Sequence, residues 1–475
     1  MKYVLLFLFV LGIQRSIGQI TNTEEIINTI DARSPEYAEI AQQIWGYAEL
    51  GYQEEKSTAL LQSTLVDAGF KMYIGVADMP TAFIAEYGSG SPVIAILGEY
   101  DALPGLSQQA VPEELPVTKG DPGHGCGHNL FGVGSAAAAI AVKEWMVKSN
   151  TPGTIRFYGT PAEEGGGGKV YMVREGLFDD VDAVLHWHPS SGNSADAASS
   201  LANKSAKFRF YGTASHASGA PQFGRSALDA VEAMNMMANM MREHIPSESR
   251  IHYVITQGGD APNVVPAFAE VFYYCRHPEM RIVEQNFAWL VKAAEGAALG
   301  TQTKMDYEII HGLYNVQPNE TLAKIMYKNL NQVGGYTLSP EEKAFAEKIQ
   351  ETLPAPANLE NTSMVNPYRL EERGSGGSTD VGDVSWVVPT AGLRTATFVP
   401  GTTSHSWQAV AASGSSIGTK GMIVAAKTMA LTAVELFSNP AILQAAKDEL
   451  LRRRGRDFIY KPMVGDREPP LDYRN

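Results

Sequence analysis

The sequence predicts an α/β fold: a mixed sheet flanked by helices, interrupted by an inserted α+β module of order βαββαβ. Three observations carry this. Short apolar runs such as Val93-Ile94-Ala95-Ile96-Leu97 alternate with longer segments whose apolar residues fall at mixed spacings of three and four, the pattern of a wound sheet. After residue 204 the order changes to strand, helix, two strands, helix and strand, that of a compact two-layer module. The chain has 475 residues, 44% of them hydrophobic and 19% charged. That is enough for a large core and more than one domain, and it excludes a mostly disordered chain.

The N-terminus reads as an export signal: Lys2, an apolar run from Val4 to Ile13, and the small-residue pattern Ser16-Ile17-Gly18, cut after Gly18. The run is too short for the about 20 residues of a spanning helix, although an uncleaved anchor is the alternative. No later segment reads as a spanning helix. The mature protein is therefore expected to be exported, periplasmic or extracellular, with no stable membrane anchor.

Glu24 to Phe70 reads as helical. Ala82 to Ala85 and Val93 to Leu97 read as strands, and Gly105 to Gly127 as a long loop. Leu130 to Met146 is a small-residue helix in which Ala136 to Ala139 permits close packing. Thr154 to Tyr158 and Ala183 to Trp187 are further strands. In the inserted module, strands are expected at 206–211, 250–257, 270–276 and 303–310, with helices at 225–244 and 283–298. A helix at 320–333, a polar excursion at 337–377, a strand at 395–399 and a helix at 418–437 follow. The division is then 1–18 signal, 19–204 with 315–446 as the catalytic domain, 205–314 as the insert, and 447–475 as a charged surface tail.

Lys plus Arg number 38 and Asp plus Glu 52, a net charge of −14, which disfavours nucleic acid as the main partner. Two cysteines exclude a disulfide-built scaffold.

Five motifs, each after a separate apolar strand or in the loop between strands, can carry chemistry. The first is Gly123-His124-Gly125-Cys126-Gly127-His128-Asn129. Thiolate and imidazole two residues apart in a glycine-rich loop can face one borderline cation such as zinc. The second is Pro161-Ala162-Glu163-Glu164 followed by four glycines; beside a metal, one carboxylate can ligate while its neighbour takes a proton. The third is His186-Trp187-His188, of which one histidine completes a ligand set. The fourth is Thr403-Ser404-His405-Ser406. The fifth is Glu99-Tyr100-Asp101, where Asp101 can hold a ligand in place. In the insert, His216, Asn263 and Arg276 stand out, and Arg is the natural binder of a substrate carboxylate.

Together these residues resemble the M20 family of metallopeptidases and amidohydrolases, in its aminoacylase-like branch. The resemblance rests on Gly98-Glu99-Tyr100-Asp101-Ala102, Gly105-Leu106-Ser107-Gln108-Gln109, the Cys126 loop and Met172-Val173-Arg174-Glu175-Gly176. It continues through Phe178 to Asp182, Ser378-Thr379-Asp380-Val381-Gly382-Asp383-Val384-Ser385-Trp386, and His405-Ser406-Trp407-Gln408. It implies a catalytic domain with an inserted dimerisation domain and two divalent metals, zinc or manganese. The implied ligands are Cys126, His128, Glu164, His188 and His405, with Glu163 as general base and Asp101 behind the ligands. His216 would reach into the partner subunit's site, and Asn263 and Arg276 would hold the substrate carboxylate. The implied reaction cleaves the amide of an N-acyl amino acid such as p-aminobenzoyl-glutamate. The implied assembly is a homodimer, or a heterodimer with a related subunit. The wider superfamily has His-x-Asp where this chain has Glu99-Tyr100-Asp101, so the Cys126 loop must supply ligands instead.

Alternatives stand beside this reading. They are a dipeptidase or carboxypeptidase of the same family, a non-catalytic binding protein on the fold, a hydrolase with Cys126 as nucleophile and His128 as base, and a Cys126–Cys275 disulfide.

Overall fold

Two sheets organise the chain in a computed structural model, which describes residues 23–374 and 376–474. The expected export signal lies outside the described residues. The larger sheet has six strands: β1 (Lys71–Ile74), β2 (Phe83–Ser89), β3 (Val93–Gly98), β4 (Gly153–Gly159), β5 (Ala183–Ser190) and, late in the chain, Thr390–Ala396. With β6 (Ala197–Ala198), β7 (Ala202–Tyr211), β8 (Arg250–Gln257), β9 (Phe268–His277), β10 (Lys304–Leu313) and β11 (Leu370–Glu371) between them, that last strand is β12. The order is β1-β2-β4-β3-β5-β12. β2 is antiparallel to β1 and β4, while β4, β3, β5 and β12 run parallel.

β3 is buried along its whole length because both faces of a central parallel strand are covered. Its alternate residues serve different cores. Ile94 and Ile96 pack under the helices His128–Ser149 and Ser416–Ser438. Val93, Ala95 and Leu97 pack with Val170, Met172, Val381 and Val384 on the other face. Ala136 to Ala139 are fully buried on the first of those long helices. His128–Ser149 and Ser416–Ser438 are long and apolar enough to cross a bilayer, contrary to the expectation that none would be. They are instead core helices, with 83% and 72% of their most apolar windows buried.

The smaller sheet is antiparallel, ordered β10-β7-β9-β8. The helices Ala227–Met241 and Met280–Thr301 cover one face, packing on Phe208, Phe210, Val271 and Tyr273. Arg209 lies on the opposite face, where it pairs with Glu270 and Glu308. Cys275 is buried in this core and Cys126 in the larger domain; both are free thiols, so the disulfide alternative is set aside.

Three expectations are corrected. The helix expected from Glu24 to Phe70 is broken between Ser34–Tyr47 and Glu55–Asp67. Ala48 turns into the left-handed region at φ 46°, and the chain then meets the segments that follow β3 and β4, with Leu50 bridged to Ala102 and Gly51 close against Ala162. The excursion 337–377 contains the helix Pro340–Gln350, started by a Ser339/Glu342 capping box. The segment expected as a surface tail from 447 instead continues the helix Pro440–Arg454. It then packs between the two sheets, burying Met463 and Val464.

Candidate active site

β3, β4, β5 and β12 all present their carboxyl ends on one side, with β4 and β5 on opposite flanks of β3. Open α/β sheets form their crevice at such a place. Asp101 follows β3, the Glu163-Glu164 pair follows β4, His188 lies near the end of β5, and His405 follows β12.

Cys126 and His128 sit at the start of the helix His128–Ser149. Gly127 makes the turn into it at φ 75°, and a Cβ there would strike Pro189. His128 Nδ1 donates to Asp101 Oδ1 at 2.8 Å, so Nε2 is directed inward. Asp101 Oδ2 accepts the Glu164 N–H at 2.9 Å. One carboxylate therefore aligns two of the expected ligands. His188 Nδ1 donates to the Pro189 carbonyl at 2.7 Å, which leaves Nε2 as an acceptor, and it takes the Cys126 thiol at 3.4 Å. His405 Nε2 lies 3.2 Å from Glu164 Oε1. The His405 backbone takes φ 62° and donates its N–H to the Gly125 carbonyl at 2.8 Å, tying its loop to the Cys126 loop. The Cys126 thiol and the Glu164 carboxylate push the His405 imidazole up to about 10.

The donor atoms fall into three close groups, each within 4.8 Å: Cys126, His128 and His188; Cys126, Glu164 and His405; and Glu99, His128 and Glu163. Cys126 belongs to the first two. His128 Nε2 and Glu164 Oε1 are buried and make no hydrogen bond; each has one charged neighbour at 3.2 Å, Glu99 Oε2 and His405 Nε2 respectively, so both keep lone-pair capacity that a cation would complete. A thiol, imidazoles and a carboxylate are the donor set of a zinc-type ion, so the residues fit a metal pair.

His186 is not in these groups. It sits one pleat earlier on β5, opposite Gly392, where any side chain would strike its ring. Burial, aided by Lys169 and Arg394, drops its pKa to about 3, so it stays neutral. Glu163 joins Glu99 and His128. Burial, then the Glu99, Glu164 and Asp380 carboxylates, raise its carboxyl well above the usual range.

His216, Asn263 and Arg276 do not join this cluster within one chain. His216 is exposed and forms a backbone bridge with Val264, while the Ala217 N–H donates to the Asn263 carbonyl. These two residues thus share one corner of the smaller sheet. Arg276, on β9, lays its guanidinium over Tyr274 at 5.3 Å, and its Nε is buried without a partner.

Sequence reading missed the supports of the site. Lys169, fully buried, pairs with Glu99 and Asp380, each at 2.7 Å. Glu54 accepts the Ala162 N–H at 2.8 Å and the Thr81 hydroxyl at 2.9 Å. This holds Ala162 in the left-handed region at φ 57°, strain of the kind that collects at functional turns. A lysine after four glycines is the one local signal that could have been followed.

The sequence profile of Peptidase family M20/M25/M40 matches residues 95–409. The chain is 45% identical over 450 residues to one of the subunits of the p-aminobenzoyl-glutamate hydrolase of Escherichia coli (strain K12), covering 89% of this chain and 94% of that protein. It is 30% identical over 442 residues to the Xaa-Arg dipeptidase of Mus musculus, covering 88% and 90%. Its fold matches that of a dinuclear metal-binding peptidase of the M20 family from Bacillus subtilis. The TM-score there is 0.58 at 17% identity, covering 86% of this chain and 99% of that one. With this fold and these relatives, the chain is a hydrolase belonging to peptidase family M20/M25/M40.

Proposed function

We propose that this chain is an exported, two-metal amidohydrolase that cleaves the amide bond of an N-acyl amino acid such as p-aminobenzoyl-glutamate. One observation carries the reading: Cys126 Sγ is common to two groups of ligand atoms. Cys126, His128 and His188 would hold one divalent ion, and Cys126, Glu164 and His405 the other. Zinc or manganese bound there supplies the Lewis acidity that brings the pKa of a water toward neutrality and polarises the amide carbonyl.

The chain's own groups do the rest. Glu163 takes a proton from the attacking water and returns it to the leaving amine. Asp101 keeps His128 and the Glu164 backbone in place. Because His216 lies away from the cluster in its own chain, it acts in a partner's site, donating to the developing oxyanion, an effect worth about 3 kcal/mol for one donor. Asn263 and Arg276 hold the substrate carboxylate. The Escherichia coli relative is one subunit of its hydrolase, which supports assembly with a related subunit or a second copy. The reading of residues 1–18 as a cleaved signal supports export to the periplasm or beyond.

The Xaa-Arg dipeptidase relative favours a second reading, dipeptide cleavage at the same centre. Residues 19–475, with added manganese or zinc, would be assayed against p-aminobenzoyl-glutamate, several N-acyl amino acids and dipeptides, with and without chelator. Chelator-sensitive release from the acylated substrates supports the first reading. Release from dipeptides alone supports the second. No release from metal-loaded protein favours a binding protein instead.

A further inference from the structure

Glu164 lies in a turn that the sequence makes loose. Four glycines follow it, and Gly165 and Gly167 take φ 100° and 68°. Fixing such a segment costs backbone entropy at every residue, so its geometry must be imposed from outside. Asp101 holds the Glu164 N–H. The Glu164 carbonyl is held by residues more than 300 positions away. The Tyr473 hydroxyl donates to it at 3.1 Å, and Arg474 Nη2 donates to the same oxygen. The Tyr473 ring packs edge-on against Tyr52, with centroids 5.7 Å apart, and the Tyr52 hydroxyl donates to the Gly166 carbonyl at 3.0 Å. Room for Tyr473 is built in: a Cβ at Gly51 would overlap its hydroxyl.

The chain leading to Tyr473 is anchored to both sheets. The Tyr460 hydroxyl donates to Asp383 at 2.7 Å, and the Tyr314 hydroxyl donates to the Lys461 carbonyl at 2.8 Å. Met463 belongs to the core of the smaller sheet and packs on Gly312, while Val464 belongs to the core under β3. Arg467 donates to the Ile310 carbonyl at 2.6 Å and to Glu308 at 2.8 Å. The Arg467 carbonyl accepts from Arg174 at 2.6 Å. Pro469 and Pro470 are buried.

We infer that residues 455–474 form a strap whose end, Tyr473-Arg474, positions Glu164 for metal binding, and which ties that turn to β10 of the smaller sheet. The inference rests on the reading of Glu164 as a metal ligand. Tyr473 and Arg474 are positioning residues, acting through the Glu164 peptide unit. Groups behind a metal ligand typically change metal affinity or activity by about 10–100-fold when removed.

The test uses the full chain with Tyr473→Phe, Arg474→Ala, the double variant and Arg474→Lys. Zinc and manganese affinity would be measured by competition with a chromophoric chelator, alongside kcat, KM and Tm. The double variant is expected to bind the weaker of its two ions about tenfold less tightly. Its kcat should fall by a similar factor while KM moves less than about twofold, and Arg474→Lys should recover part of both losses. Unchanged affinity and kcat in the double variant, with a lowered Tm, would mean that the strap is only structural and would overturn the inference. If the wild-type chain itself binds no divalent ion, the reading of Glu164 fails first, and that result is distinct from a variant-specific loss.

Discussion

Asp101 and His128 form a buried pair in which the carboxylate accepts from Nδ1 at 2.8 Å, fixing the ring so that Nε2 faces Cys126 and Glu99. The second Asp101 oxygen accepts the Glu164 N–H. The carboxylate is thus used as an acceptor on both sides, a role that an amide cannot copy, since one of its two arms is a donor. Asp101→Asn should therefore weaken divalent-ion affinity by about 10–100-fold, with the far-ultraviolet circular dichroism of the fold retained. Competition titration reads the affinity, and wild-type affinity in the variant would show that Asp101 does not orient the ligands.

Glu163 and Glu164 are adjacent but face different neighbours. Glu164 Oε1 lies against His405, while Glu163 groups with Glu99 and His128. Glu163→Gln should keep both ions and lose about 10²–10⁴-fold in kcat, the usual weight of a general base. A variant with its ions in place and near wild-type turnover would remove Glu163 from that role.

Asp383 gives a pH signature remote from the ligands. Burial, opposed by hydrogen bonds from the Tyr460 hydroxyl and the Tyr314 N–H, pushes its carboxyl up to about 7. The folded value lies above the ordinary carboxyl value of about 3.9, so the neutral form is favoured in the folded state. The associated stability is fully present below about pH 4 and is lost as pH rises through about 7. Relative to Asp383→Asn, which cannot ionise, the wild-type chain should lose Tm between pH 5 and 8. Parallel Tm profiles across that window would contradict the shift.

The motifs that converge at the strand ends were legible because most lie at or after the end of an apolar strand and several set metal-type side chains beside glycines. Strand β3 was legible because a strand buried on both faces is apolar at every position. The supports were not. Nothing in the local sequence links Lys169 to Asp380, and only their ion pairing, with Glu99, lets them be buried. Glu54 falls inside a segment whose apolar spacing continues a helix, and the break at Ala48 comes from tertiary contacts that periodicity does not record. The strap was missed for the same reason: residues 455–474 are charged and rich in proline, and Met463 and Val464 gain their burial only between the two sheets. His216, Asn263 and Arg276 were picked by type, but their distance from the cluster within one chain could not be read from spacing.

The central claim is a two-ion centre that shares Cys126. Its most direct test is the metal-to-protein ratio, measured by mass spectrometry after dialysis, for wild type, His188→Ala, His405→Ala and Cys126→Ala. Wild type should hold about two ions and each histidine variant about one. Cys126→Ala should fall well below one, because both donor groups lose the same sulfur. Two ions retained in Cys126→Ala, or a wild-type ratio of zero, would contradict the account.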